Sequence, residues 1–186
     1  MQQISKRVRV LTGGAALVAL GAGAFGAVSA NAAAPAAAPA AAVKADAKNK
    51  NTTTTGTHLT IDAATKAARA ALDAAEKENQ RVSVAVVDRN GNTLVTLRGD
   101  GAGPQSYESA EKKAYTAVSW NAPTTELVKR LEQAPQLKDI PGTLFLGGGA
   151  PVTSKNAPIA GIGVAGAPSG DLDQKFAQAG VDALAK

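Results

Sequence analysis

From Ile61 onward the apolar residues Ile61, Ala64, Ala68, Leu72 and Ala75 recur every three or four positions, which predicts an amphipathic helix over 61–79. Thr60 stands where an N-cap belongs, and Asp62 lies in the first turn, where a carboxylate favours the helix dipole. The spacing then changes. Residues 82–88 are mainly β-branched and apolar, which predicts a strand buried on at least one face. Residues 93–98 return as its partner across Arg89-Asn90-Gly91-Asn92, since Asn-Gly accommodates positive φ. A Gly-rich loop, 99–104, leads to a second helical period over 106–120, with Tyr107, Ala110, Ala114, Ala117 and Val118 as its apolar positions. Pro123 breaks that helix, and Thr124 can cap a short one running to Leu131.

Residues 143–146 read as a short strand ending in Gly147-Gly148-Gly149, and 151–155 with 159–164 as a hairpin across Asn156-Ala157-Pro158. Ser169 caps a last helix with Leu172, Phe176, Ala179 and Ala183 inward. The order α-β-β-α-α-β-β-β-α, joined mostly by tight turns, demands an antiparallel sheet with helices packed on it.

The chain before this region has a different character. Lys6, Arg7 and Arg9 precede an uncharged apolar run from residue 10 to 28, and Val28-Ser29-Ala30 is an A-x-A-like cleavage site. Residues 1–30 therefore read as a secretory signal peptide, and the mature chain is expected outside the cell. Ser5-Lys6-Arg7 resembles a twin-Arg signal with Lys in the first Arg position. Residues 31–57, rich in Ala, Pro and Thr and poor in large apolar side chains, cannot repay the entropy of ordering and read as a disordered linker. That leaves 58–186 as one folded domain. A domain of that size buries roughly two-thirds of its unfolded surface.

The location of charge removes one class of function. The formal charge of the 186-residue chain is +5. Cutting after Ala30 removes three positive charges and no acid, leaving +2. The basic balance belongs largely to the signal, and with aromatic residues at 3% a nucleic-acid partner is not expected. Cysteine is absent and His58 is the sole histidine. Disulfides, zinc knuckles, thiolate-ligated clusters and two-His metal motifs are thereby excluded within one chain.

Some motifs carry candidate chemistry. Gly161-Ile-Gly163-Val-Ala-Gly166 matches a dinucleotide fingerprint as a string. Its glycines begin inside an expected strand and too little chain follows for another βα unit, so close backbone packing is the better reading. Gly147-Gly148-Gly149 lacks the Lys-Ser/Thr of a phosphate loop. Glu108 and Glu111, at i and i+3 of the second expected helix, put two carboxylates on one face, with Tyr115 four positions on. Such oxygens suit iron, manganese or calcium, although Glu108 can also pair with Lys112 at i+4. Lys112, Lys113 and Lys155 could meet an acidic ligand or serve as solubilising surface charge.

His58-Leu-Thr-Ile-Asp-Ala-Ala-Thr65, Val84-Ala-Val-Val-Asp-Arg-Asn-Gly91, Lys113-Ala-Tyr-Thr-Ala-Val118, Pro141-Gly-Thr-Leu-Phe-Leu146, Gly148-Gly-Ala-Pro151 and Ala160-Gly-Ile-Gly-Val164 together span nearly all of 58–186. On these segments the domain resembles the GlcG/HbpS-like family, most closely its secreted haem-binding members from actinobacteria. The resemblance implies a profilin-like α/β fold, a five-stranded antiparallel sheet with helices packed on both faces. It implies haem and iron as cofactors, a homo-oligomer (an octamer) and modulation of a membrane sensor kinase under redox stress. It points to Thr143 as haem ligand and to Glu108 and Glu111 as iron ligands; by residue type His58, Tyr107 and Tyr115 are the other side chains available to a haem iron. A haem-degrading or peroxidase-like enzyme of the same fold is the alternative. The residues do not choose between them, since His58 is the only acid–base group of the neutral pH range.

Overall fold

The computed structural model describes residues 54–185. The expected signal peptide 1–30 and nearly all of the expected linker 31–57 lie outside the described residues. The elements in chain order are α1 (Ile61–Lys77), β1 (Ser83–Asp88), β2 (Thr93–Arg98), α2 (Pro104–Trp120), α3 (Thr124–Val128), 3-10 turns at Lys129–Glu132 and Pro135–Asp139, β3 (Gly149–Ser154), β4 (Ala157–Ala165) and α4 (Gly170–Asp182). Two of the three expected caps form: Ala63 N donates to Thr60 Oγ1 at 3.2 Å and Leu172 N donates to Ser169 Oγ at 3.2 Å. The third does not: Thr124 is the first residue of α3, Pro123 is its N-cap, and the short helix expected to run to Leu131 ends at Val128, because the Thr124 hydroxyl is taken by Gly149 N.

The sheet is antiparallel with strand order β2-β1-β4-β3. It has four strands among the described residues, not the five expected. The missing strand is 143–146. Its backbone is claimed by a helix side chain rather than by a neighbouring strand, because Leu144 N donates to Thr116 Oγ1 on α2 at 2.8 Å. The strand expected at 151–155 instead begins at Gly149. The β3–β4 turn falls at Lys155-Asn156, both at positive φ, one residue earlier than expected. In the β1–β2 turn only Gly91 takes positive φ, and the register slips by one between Val86 and Val87.

Helices cover both faces. Val84 and Val86 of β1 and Ala160, Ile162 and Val164 of β4 point toward α1 and α4, where they meet Ala64, Ala68, Leu72 and Phe176. The alternate residues Ala85 and Val87 meet Ala110, Ala114 and Val118 of α2 on the other side. On that side β4 presents Gly161 and Gly163. A Cβ on either would collide with a carbonyl of α2, that of Ala114 or of Ala110 respectively. The fingerprint-like glycines are thus a seat for α2, and they allow helix and strand backbones to touch. Two expected inward residues are instead exposed. Ile61 lies at the first turn of α1, and Tyr107 lies near the start of α2 on its outer side, next to Ser106, which is buried and hydrogen-bonded to Ser83 of β1 at 2.8 Å.

Candidate functional site

Helix α2 divides its residues between two environments. Lys113, Ala114, Thr116 and Ala117 are buried against the sheet and the loop before β3, whereas Glu108 is exposed and Glu111, Lys112 and Tyr115 are half-buried. Lys113 is not surface charge. Its Nζ lies 2.7 Å from Asp173 Oδ2 of α4 and donates also to Val164 O at 3.0 Å. Asp173 Oδ1 accepts from Ala167 N at 3.0 Å. Burial raises the Asp173 carboxyl above the usual range, and the Lys113 charge opposes that shift. The pair fixes α4 to α2 across the end of the sheet. Gly148, at φ +122, passes close by: a Cβ there would stand 2.9 Å from Lys113 Nζ.

The outer side of α2 holds the two expected metal ligands. Glu108 Oε1 is 2.6 Å from Lys112 Nζ, and the Lys112 hydrogen bond and charge hold the Glu108 carboxyl below its usual range. Glu111 Oε1 accepts from Thr96 Oγ1 of β2 at 3.2 Å. Glu111, Lys112 and Tyr115 line a cleft of about 180 Å³ together with Gly91 and Gly142. The Tyr115 ring is tightly packed by Gly91, where a Cβ would approach to 2.9 Å. Among the described residues no group of three or more His, Cys, Asp or Glu side chains is placed to hold a metal ion. Glu108 and Glu111 are therefore two oxygen donors on an open face, and water or another molecule would have to complete any coordination shell.

Thr143 stands one residue beyond Gly142 in the loop leading to β3. Its Oγ1 donates to Ile140 O at 2.8 Å, leaving the oxygen lone pairs for an acceptor role. Three side chains hold the loop. Thr116 Oγ1 accepts from Leu144 N and donates to Lys112 O at 2.7 Å. Thr124 Oγ1 accepts from Gly149 N at 2.7 Å, and Gln174 Oε1 accepts from Gly148 N at 3.1 Å. Trp120 and Phe145 meet edge to face at 5.2 Å between ring centres and pin the loop to the end of α2. Two large apolar side chains flank Thr143 in the chain and remain open to solvent, Ile140 at 40% and Leu146 at 54%. The loop thus offers one neutral oxygen donor beside two exposed apolar side chains, on an open face of the described residues. The 180 Å³ cleft is too small to contain a haem macrocycle.

His58 lies elsewhere in the molecule. It is exposed, precedes α1 and shares a second pocket with Arg89 and Asn90 of the β1–β2 turn. Of the four expected site residues, Glu108 and Glu111 thus share a helix face, Thr143 sits in the loop that α2 holds, and His58 belongs to a separate pocket. The sequence reading missed Thr116, Thr124 and Gln174, which organise the loop. It also missed the Lys113–Asp173 pair. The signal was present, since Lys113 falls between Ala110 and Ala114 on the apolar stripe of α2, and Asp173 falls between Leu172 and Phe176 on that of α4.

A family model described as "Haem degrading protein HbpS-like" matches residues 59–182. The chain belongs to this HbpS-like family. Among solved structures, the chain is similar to HbpS at 75% sequence identity and a TM-score of 0.72, covering 74% of this chain and 97% of that one. It is 72% identical to a Streptomyces reticuli HbpS variant in which two glutamates are replaced by aspartate, with a TM-score of 0.71 and coverage of 80% and 97%. A complex of PduOC with haem is similar at 29% identity and a TM-score of 0.63, covering 68% of this chain and 95% of that one.

Proposed function

We propose that this protein is an extracellular haem- and iron-binding protein, and that it modulates a membrane sensor kinase in redox and iron stress. The observation that carries the haem reading is the 75% identity to HbpS across nearly all of that chain, together with a haem complex among the structural relatives. The loop around Thr143 supplies what an open haem surface needs: an oxygen donor with free lone pairs, flanking apolar side chains and a backbone held by three buried or half-buried side chains. With no Cys and one His, intramolecular bis-His or thiolate ligation is excluded. A haem bound here would supply redox chemistry at its iron. The chain's own part is to hold the ligand oxygen, exclude water with Ile140 and Leu146, and keep the loop in register.

The iron reading rests on Glu108 and Glu111, one helical turn apart, each already oriented by a partner. Secretion rests on the signal-like residues 1–30, and homo-oligomerisation, as an octamer, on the family resemblance. Among the described residues no helix is long and apolar enough to cross a membrane.

The family description favours a second reading, in which haem is degraded rather than only bound. Adding haem to the purified chain and then peroxide separates the two. A Soret band that survives peroxide supports binding. Protein-dependent bleaching with stoichiometric iron release supports turnover, and absence of any haem-dependent band would contradict both.

A further inference from the structure

The pocket beside the β1–β2 turn is lined by Thr54, Thr55, Gly56, His58, Arg89 and Asn90 and has a volume of about 260 Å³. Its side chains are hydroxyls, an amide, an imidazole and a guanidinium. The two nitrogen bases converge: the point where a Gly56 Cβ would stand is 3.1 Å from His58 Nε2 and 3.8 Å from Arg89 Nη1. Among the described residues Arg89 makes no ion pair.

The acid next to it is already occupied. Asp88 Oδ1 accepts from Asn90 N and Asn92 N at 2.8 Å each, and Oδ2 accepts from Asn92 Nδ2 at 3.1 Å. The carboxylate is turned into the β1–β2 turn and buried, although the charge of His58 reaches it and helps to hold its pKa down, so Arg89 is the exposed permanent cation of the pocket. Its backbone is fixed, because Arg89 N donates to Ile159 O of β4 at 3.1 Å. A guanidinium on a rigid backbone, with a fork that makes no hydrogen bond or ion pair among the described residues and with neighbouring hydroxyl donors, is suited to a planar oxyanion.

We infer that the Arg89–His58 pocket binds a carboxylate group of a small molecule. One permanent cation matches one negative charge, which favours a carboxylate over a doubly charged phosphate. Arg89 takes the carboxylate through its two parallel N–H groups, and His58 and the Thr54 and Thr55 hydroxyls are placed around it. The carboxylate can belong to a free organic acid or to a haem propionate. The inference does not depend on haem binding.

His58 is the sole histidine of the chain, so its imidazole C–H signals in a proton NMR spectrum report on this pocket alone. Sodium acetate is titrated into the full chain at constant ionic strength, held with chloride. The expected result is a saturable shift of the His58 signals in the wild type. In Arg89→Gln the midpoint should rise roughly tenfold or more, the loss expected for a charged hydrogen-bonded pair. Lys129→Gln, at an exposed site in the first 3-10 turn, should match the wild type. A linear shift, or one equal in Arg89→Gln, overturns the proposal. The source of the carboxylate is assigned by comparing haem with its dimethyl ester. A loss of affinity on esterification that disappears in Arg89→Gln identifies a propionate, and a loss equal in both proteins excludes the propionates and leaves a free acid as the source.

Discussion

Lys113 Nζ and Asp173 Oδ2 are 2.7 Å apart with both side chains only 5% exposed, and this contact joins the two helix layers through the end of the sheet. Removing one partner strands a buried charge, which costs about 3–5 kcal/mol. Lys113→Met should therefore lower the urea midpoint strongly. Lys113→Met combined with Asp173→Leu should recover much of the loss, because a well-packed apolar pair replaces both charges. A double variant no more stable than Lys113→Met would show that the pair is not the unit that matters.

Gly163 is the tightest seat of α2 on β4. Gly163→Ala places a methyl group against the Ala110 carbonyl, a backbone atom that cannot swing aside. The expected cost is about 1–3 kcal/mol or more, the range for overpacking. Gly103→Ala is the control, since the atoms near its Cβ belong to the side chain of Gln105. Thermal melts of the two variants give the comparison, and equal melting temperatures would contradict the seating role of Gly163.

The strands β1 and β2 and the helices α1, α2 and α4 were readable because their apolar periods are long and their caps are intact at Thr60 and Ser169. The expected strand at 143–146 failed for a tertiary reason. Thr-Leu-Phe-Leu has β propensity, but Thr116, Thr124 and Gln174 lie far away in the chain and bond the loop from outside the sheet. The same holds for the site. Spacing along α2 exposed Glu108 and Glu111, whereas the meeting of His58 with Arg89 depends on how α1 enters the domain, which no local pattern carries.

Two aspartates give stability opposite pH dependence. At Asp88 burial pushes the carboxyl up, but hydrogen bonds from the Asn92 side chain and from the Asn92 and Asn90 backbones, with the nearby charge of His58, outweigh it, and the net shift is down. The stability it supplies is complete above the ordinary aspartate value and is lost as pH falls through the lowered one. At Asp173 burial wins and the shift is up. Its contribution is complete below the ordinary aspartate value and is lost as pH rises through the raised one. Urea unfolding from about pH 3 to 7 should show a shallower acid limb for Asp88→Asn and a steeper one for Asp173→Asn. Parallel limbs in all three proteins would contradict these assignments.

Thr116 is buried and touches no solvent, yet it holds the loop that carries Thr143. Thr116→Val keeps the shape and leaves Leu144 N without its acceptor, at a cost of about 1–3 kcal/mol. Haem affinity should fall although the substitution lies away from the ligand oxygen. Fluorescence quenching of Trp120, the sole tryptophan, by added haem measures it. Unchanged affinity would separate loop position from haem binding.

The most direct measurement is a haem titration of the wild type, Thr143→Ala and His58→Ala, read at the Soret band. The expected result is a saturable band in the wild type that shifts and weakens in Thr143→Ala and is retained in position by His58→Ala. Two variants with spectra identical to the wild type, or no saturable band in the wild type, would contradict a haem held at the Thr143 loop.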